Sequence, residues 1–136
     1  MDPAIQVRHI FNFTLLRSLR NAVRKARFWT RYSLANRDLL ADSGTASREL
    51  KATVLSAMLC IAVIVLWLAT GEISLLWSLP VIAGANALFN WGLIRAFMRT
   101  GGMVFALSAY GYYATLYAAA VAVGGAVGMV KYLLES

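Results

Sequence analysis

Residues 52 to 70 read ATVLSAMLCIAVIVLWLAT, nineteen positions without a charged side chain. At about 1.5 Å per residue a helix of that length reaches roughly 28 Å, close to the hydrocarbon thickness of a bilayer. The stretch therefore predicts a transmembrane helix, and it divides the chain into two unlike halves. Ten of the 13 Lys and Arg residues precede it: Arg8, Arg17, Arg20, Arg24, Lys25, Arg27, Arg31, Arg37, Arg48 and Lys51. Only Arg95, Arg99 and Lys131 follow, so the net charge of +7 belongs almost entirely to the front of the chain.

The composition agrees with a membrane protein. Of 136 residues 60% are hydrophobic and 14% charged, against about 45 to 50% and 25% in soluble domains. Basic residues adjoining an apolar span are what the positive-inside rule produces, and anionic headgroups supply their counter-charge. That placement argues against nucleic acid as the partner. The single cysteine, Cys60, lies inside the apolar run, which excludes an intrachain disulfide and disfavours a reactive thiolate. The first long apolar run starts too far along the chain for a signal peptide, and Asp2 excludes N-terminal myristoylation.

Working toward the N-terminus, residues 1 to 47 are expected to form a cytoplasmic juxtamembrane segment. Residues 1 to 13 read as an extended lead-in; His9 lacks the partners that metal binding needs. From Thr14 to about Tyr32 the pattern becomes regular. Arg17, Arg20, Arg24, Arg27 and Arg31 are spaced 3, 4, 3 and 4 apart, placing five guanidinium groups on one helical stripe. Leu15, Leu19, Ala22, Ala26 and Trp29 form a second stripe displaced by two residues, hence by roughly 200°. This predicts an amphipathic helix lying in the membrane interface, with the arginines on lipid headgroups; the alternative is a helix whose apolar face packs on protein. Leu34, Leu39 and Leu40 suggest a further short amphipathic turn. Ser43, Thr45 or Ser47 is then available to cap the first span.

Working toward the C-terminus, residues 48 to 136 are expected to form the membrane domain, with apolar segments 52 to 70, 75 to 94 and 103 to 130. The turn after Gly71 has no basic residue, which makes it external and the N-terminus cytoplasmic. The second segment returns to a short basic loop expected over residues 95 to 102, with Arg95 and Arg99, on the cytoplasmic side, and carries Pro80 near its start, Gly84, and Trp77 and Trp91 near its ends. Asn86 and Asn90, four residues apart, present amides on one helix face, suited to tying helices together. The third segment would extend about 42 Å as one helix, longer than a bilayer core, so it must tilt, bend or lie flat. Tyr110, Tyr112, Tyr113 and Tyr117 mark headgroup level if Met103 to Ala109 runs along the interface. Ala120, Gly124 and Gly128 recur at intervals of four, a small-residue groove for close helix approach.

The expected fold is thus an all-α membrane protein: an N-terminal interfacial amphipathic helix, a transmembrane hairpin and a third apolar helix. Catalytic motifs are not expected. The six acids, Asp2, Asp38, Asp42, Glu49, Glu72 and Glu135, include no spaced metal-binding pair, and there is no Ser, His and Asp set or Cys and His cluster. Neither metal nor cofactor is expected.

The order QVRHIFNFTLLRSLRNAVRKARFWTRYSL, a polar linker, an apolar hairpin, FNWGLIRAFMRTGGMVFALSAY and an apolar tail resembles the C-terminal membrane region of bacterial family 2 glycosyltransferases. Its more specific parts are RFWTR at Arg27 to Arg31 and the stretch from Asn90 through Arg95 and Phe97 to Leu107. Gly111 and Tyr113 depart from the proline and histidine that relatives tend to carry. In that family a catalytic domain binding a nucleotide sugar precedes such a region, and this chain contains none of its acidic motif. The resemblance implies a module of the bacterial inner membrane that positions a catalytic partner at the bilayer. Two further functions are compatible with the pattern: a structural accessory subunit of a larger membrane complex, and a small oligomeric carrier of lipid-linked sugar.

Overall fold

The computed structural model describes residues 14 to 39, Asp42 and residues 46 to 135, and these are almost entirely helical. The expected lead-in over residues 1 to 13 with His9, together with Leu40 and the possible caps Ser43 and Thr45, lies outside the described residues.

Helix α1 spans Leu15–Asn36. Thr14 caps its start by accepting from the Arg17 amide at 3.3 Å. Of the residues expected to form a separate short turn, Leu34 belongs to this helix and Leu39 lies beyond its end. It closes at Arg37, whose φ of 57° lets Asp38 N–H donate back to the Ser33 carbonyl at 3.0 Å. Helix α2, Arg48–Thr70, contains the whole opening stretch. Of the three candidate caps Ser47 serves, accepting from the Leu50 amide at 3.2 Å. Gly71, at φ 71°, ends the helix in the left-handed conformation that side chains resist.

A tight 3₁₀ turn over Ile73–Trp77 leads into α3, Ser78–Phe89, with Pro80 in the first turn, where no intrahelical donor is lost. Thr53, early in α2, bonds to Asn86 and Asn90 at the end of α3, so the two helices run antiparallel. The second apolar segment differs from an unbroken helix over 75 to 94. It opens as the 3₁₀ turn and breaks at Asn90, whose side chain bonds to its own helix and to α2 rather than facing outward.

The helical run α4, Trp91–Tyr112, contains a reversal. Gly102 has φ 77° and ψ −174°, outside helical values. An unbroken helix would separate residues 86 and 110 by about 36 Å, yet Asn86 Nδ2 donates to the Tyr110 hydroxyl at 2.9 Å. The arms 91 to 101 and 103 to 112 therefore fold back on each other, with Phe97 and Phe105 meeting edge to face at 6.0 Å. A π-helical turn at Tyr113–Tyr117 then leads into α5, Ala118–Glu135. The 28-residue apolar segment is thus divided: its first part belongs to the returning arm and its last to α5.

Helix α1 packs principally on α5. Ser18, Val23, Arg27 and Arg31 meet Tyr112, Gly124, Gly128 and Glu135 in that order, so the two run parallel. Among the described residues two helical runs, Arg48–Thr70 and Trp91–Glu135, are long and apolar enough to cross a membrane. Only 6% of the α2 window is buried, whereas the core helix of a soluble domain is mostly buried. Leu55, Leu59, Ile61, Val65 and Leu68 all face outward along it.

Candidate functional site

Two constellations organise the molecule. The first is the seam between α1 and α5. Ala22, Ala26, Thr30 and Ser33, spaced 4, 4 and 3, form its buried stripe on α1. Opposite them Gly124 and Gly128 are buried on α5. A Cβ on Gly124 would lie 2.3 Å from the Val23 carbonyl oxygen, and one on Gly128 2.5 Å from that of Arg27. Backbone thus lies against backbone, which only glycine permits. Ala120, the third expected member of this groove, is half-buried, while Ala118 is fully enclosed.

The seam orients the arginines. Arg17, Arg20 and Arg24 are exposed, whereas Arg27 and Arg31 are partly covered. Arg24 donates to Asn21 at 3.3 Å, Arg27 stacks over the Phe28 ring at 4.6 Å, and Arg31 pairs with Glu135. The five-arginine stripe is therefore divided by its surroundings: Arg17, Arg20 and Arg24 are exposed, and Arg31 bonds to the end of α5. The buried stripe also differs from the expected apolar one. Leu15 is 57% exposed, and Thr30 and Ser33 take the inner positions, because contact with glycine backbone favours small side chains over large ones.

The second constellation is a buried polar node. Asn90 Nδ2 lies 3.0 Å from Thr53 Oγ1, 3.0 Å from Asn86 Oδ1 and 2.9 Å from the Asn86 carbonyl. Thr53 in turn donates to the Glu49 carbonyl at 2.8 Å. With the Asn86 bond to Tyr110, the node ties together α2, α3 and the returning arm of α4. Thr53 is 0% and Asn90 1% exposed; Asn90 Oδ1 is the one atom of the node that is buried without a hydrogen-bond partner. The sequence does not single out Thr53, and it points to Tyr110 as a headgroup-level ring rather than as a partner of Asn86. Thr53 sits inside an otherwise apolar run, where a lone threonine gives no periodic signal.

Between these constellations stand the tyrosines of the π turn. Tyr113 and Tyr117 stack at 6.0 Å and Tyr112 lies 6.1 Å from Tyr117. The Tyr112 hydroxyl shares a hydrogen bond of 3.0 Å with Ser18, linking the turn to α1. Further along α1, Lys51 Nζ sits 4.8 Å from the Trp29 ring centroid. Among the described residues no group of three or more His, Cys, Asp or Glu side chains is placed to hold a metal. The arrangement can hold helices and present charge.

Comparisons with protein families, with curated proteins and with solved structures find no match.

Proposed function

We propose that this chain is a membrane-anchoring module, resembling the C-terminal region of a family 2 glycosyltransferase, that positions a catalytic partner at the cytoplasmic face of a bacterial inner membrane. The observation that carries this reading is the clamp of a strongly basic helix, α1, along the apolar helix α5. Helix α1 holds Arg17, Arg20, Arg24, Lys25, Arg27 and Arg31. Each such charge costs about 2.5 to 3.5 kcal/mol at the centre of a bilayer, so six in one helix oppose insertion by about 15 kcal/mol or more. Helix α5 runs beside α1 as far as Glu135, so the pair lies together at the interface rather than across the membrane. Helices α2 and α3 provide the membrane-embedded hairpin.

In this arrangement Arg17, Arg20 and Arg24 offer their guanidinium groups to anionic headgroups at the membrane surface, and the glycine seam fixes their height relative to α2. A partner docked on α1 would inherit that height. This suits a reaction in which one substrate is soluble and the other is carried in the lipid.

As an accessory subunit the chain would dock through the groove at Ala120, Gly124 and Gly128 and through the face of Asn86 and Asn90. Gly124, Gly128, Asn86 and Asn90 are engaged within the chain, so that reading would need other surfaces. The carrier alternative needs a polar lining, and Asn86, Asn90 and Tyr110 bond to one another.

Affinity purification from native membranes in a mild detergent tests the proposal. A stoichiometric companion with nucleotide-sugar-binding motifs is the expected result. A companion set drawn wholly from another membrane assembly would replace it with the accessory-subunit reading.

A further inference from the structure

A groove of about 510 Å³ lies where α1, α5 and the first turns of α2 converge. That volume falls within the range of about 300 to 1,000 Å³ typical of ligand sites. Its walls are largely apolar, with Val54 and Met58 from α2 and Val121 and Met129 from α5. The only charged residues among the described ones lining it are Lys25 and Lys51. Both are cations, and Lys51 is held over the indole of Trp29, which lines the same groove. Leu55 lines it as well and continues, with Leu59, onto the exposed face of α2.

We infer that this groove binds one anionic glycerophospholipid, its phosphate between Lys25 and Lys51 and one acyl chain along the α1, α2 and α5 walls. The second chain lies on the exposed Leu55 and Leu59 face, which is why a two-chain lipid fits better than a single-chain amphiphile. Charge complementarity selects an anion, because both charged side chains that line the groove among the described residues are cations. Depth selects an amphiphile. Met58 is seven positions beyond Lys51, about 10 Å further along α2, so the cations meet the headgroup while the walls meet the chain. The inference rests on the reading of α2 as a membrane-spanning helix with its start at the headgroups. It does not require a catalytic partner. The site is distinct from the outward arginines: Arg17, Arg20 and Arg24 meet a fluid surface, whereas this groove retains a single molecule.

The test uses the full chain purified in detergent and titrated with dioleoyl phosphatidylglycerol or dioleoyl phosphatidylcholine, with retained lipid counted by native mass spectrometry. Alkaline carbonate extraction, done first, establishes separately whether the chain is integral to the membrane. The expected result is one retained phosphatidylglycerol, preferred over phosphatidylcholine by roughly tenfold or more, given about 1 kcal/mol per cation near a headgroup. Lys25→Gln with Lys51→Gln should reduce the preference to less than about threefold on the same scale. Gly125→Leu should lower occupancy by both lipids; its Cβ would meet only Thr30 Oγ1 at 3.6 Å, so the helix accepts the side chain while the groove is filled. Arg17→Glu, Arg20→Glu and Arg24→Glu together should weaken vesicle binding and leave the retained lipid in place. Equal retention of the two lipids by the natural chain, or an unchanged preference in the lysine variant, would overturn the site. So would recovery from native membranes of a phosphorylated isoprenoid in place of a glycerophospholipid.

Discussion

The seam between α1 and α5 makes a quantitative demand on two glycines. Replacing Gly124 and Gly128 by alanine adds only two methyl groups, but each new Cβ would sit 2.3 to 2.5 Å from a backbone carbonyl oxygen of α1, where ordinary contact begins near 3.4 Å. Helix α1 must therefore retreat by about 1 Å, and a gap of that size forfeits roughly a quarter to a half of the dispersion well of each lining contact. Overpacking of this kind costs about 1 to 3 kcal/mol per site, and the better helix propensity of alanine returns about 1 kcal/mol at each. The net for the pair is about 2 kcal/mol, or roughly thirtyfold in the opening equilibrium of the seam. The reporter is Ser33→Cys, a nearly isosteric change at a position 1% exposed on the buried stripe, in a Cys60→Ala background. Its maleimide labelling rate in detergent micelles should rise roughly thirtyfold in the double alanine variant, in proportion to opening. Gly84→Ala, where no atom lies within 4 Å of the new Cβ, should leave the rate unchanged. A double variant labelled no faster than the Gly84→Ala control would show that backbone contact does not hold α1 on α5.

Three further outcomes follow from the same contacts. Thr53→Val should lower resistance to unfolding in mixed micelles by about 1 to 2 kcal/mol, because it removes the buried hydroxyl that bonds to both Asn86 and Asn90; Thr53→Ser should restore most of it. Gly102→Ala places a side chain at φ 77° and should cost about 1 to 3 kcal/mol in the same assay, whereas Gly111→Ala, which meets nothing within 4 Å, should be neutral or stabilising. Glu135→Gln removes an ion pair whose side chains are 36% and 53% exposed, so the change should stay below about 1 kcal/mol and diminish with added salt.

Much of this arrangement is legible in the amino-acid order, and the exceptions have identifiable causes. Helix α2 is legible because an uncharged run ending in glycine leaves few alternatives, and its end at Gly71 matches the backbone. Helix α1 is legible from the period of its arginines. The period does not reveal that its inner face meets protein, because Ala22, Ala26, Thr30 and Ser33 are small and weakly hydrophobic. They become a signal only when set beside Gly124 and Gly128, whose spacing of four matches theirs. The break between the second and third apolar segments is legible as a loop over residues 95 to 102, but residues 95 to 101 stay helical and the chain reverses at Gly102 alone. Gly101 and Gly102 sit between two helix-forming arms, and a glycine pair marks a possible break without giving its angle. Asn86 and Asn90 stood out as amides in an apolar helix, but their partners Thr53 and Tyr110 lie 33 and 24 residues away from Asn86. A long-range pairing of that kind leaves no local pattern to read.

The anchoring account is tested most directly at the exposed edge of α1. A photoreactive amino acid placed at Arg20 or Arg24, both exposed, and activated in native membranes, captures whatever lies against that edge. The account predicts a protein adduct containing a nucleotide-sugar-binding domain, diminished when Gly124→Ala and Gly128→Ala release the helix. Adducts confined to lipid, or to subunits of an unrelated membrane assembly, would contradict it.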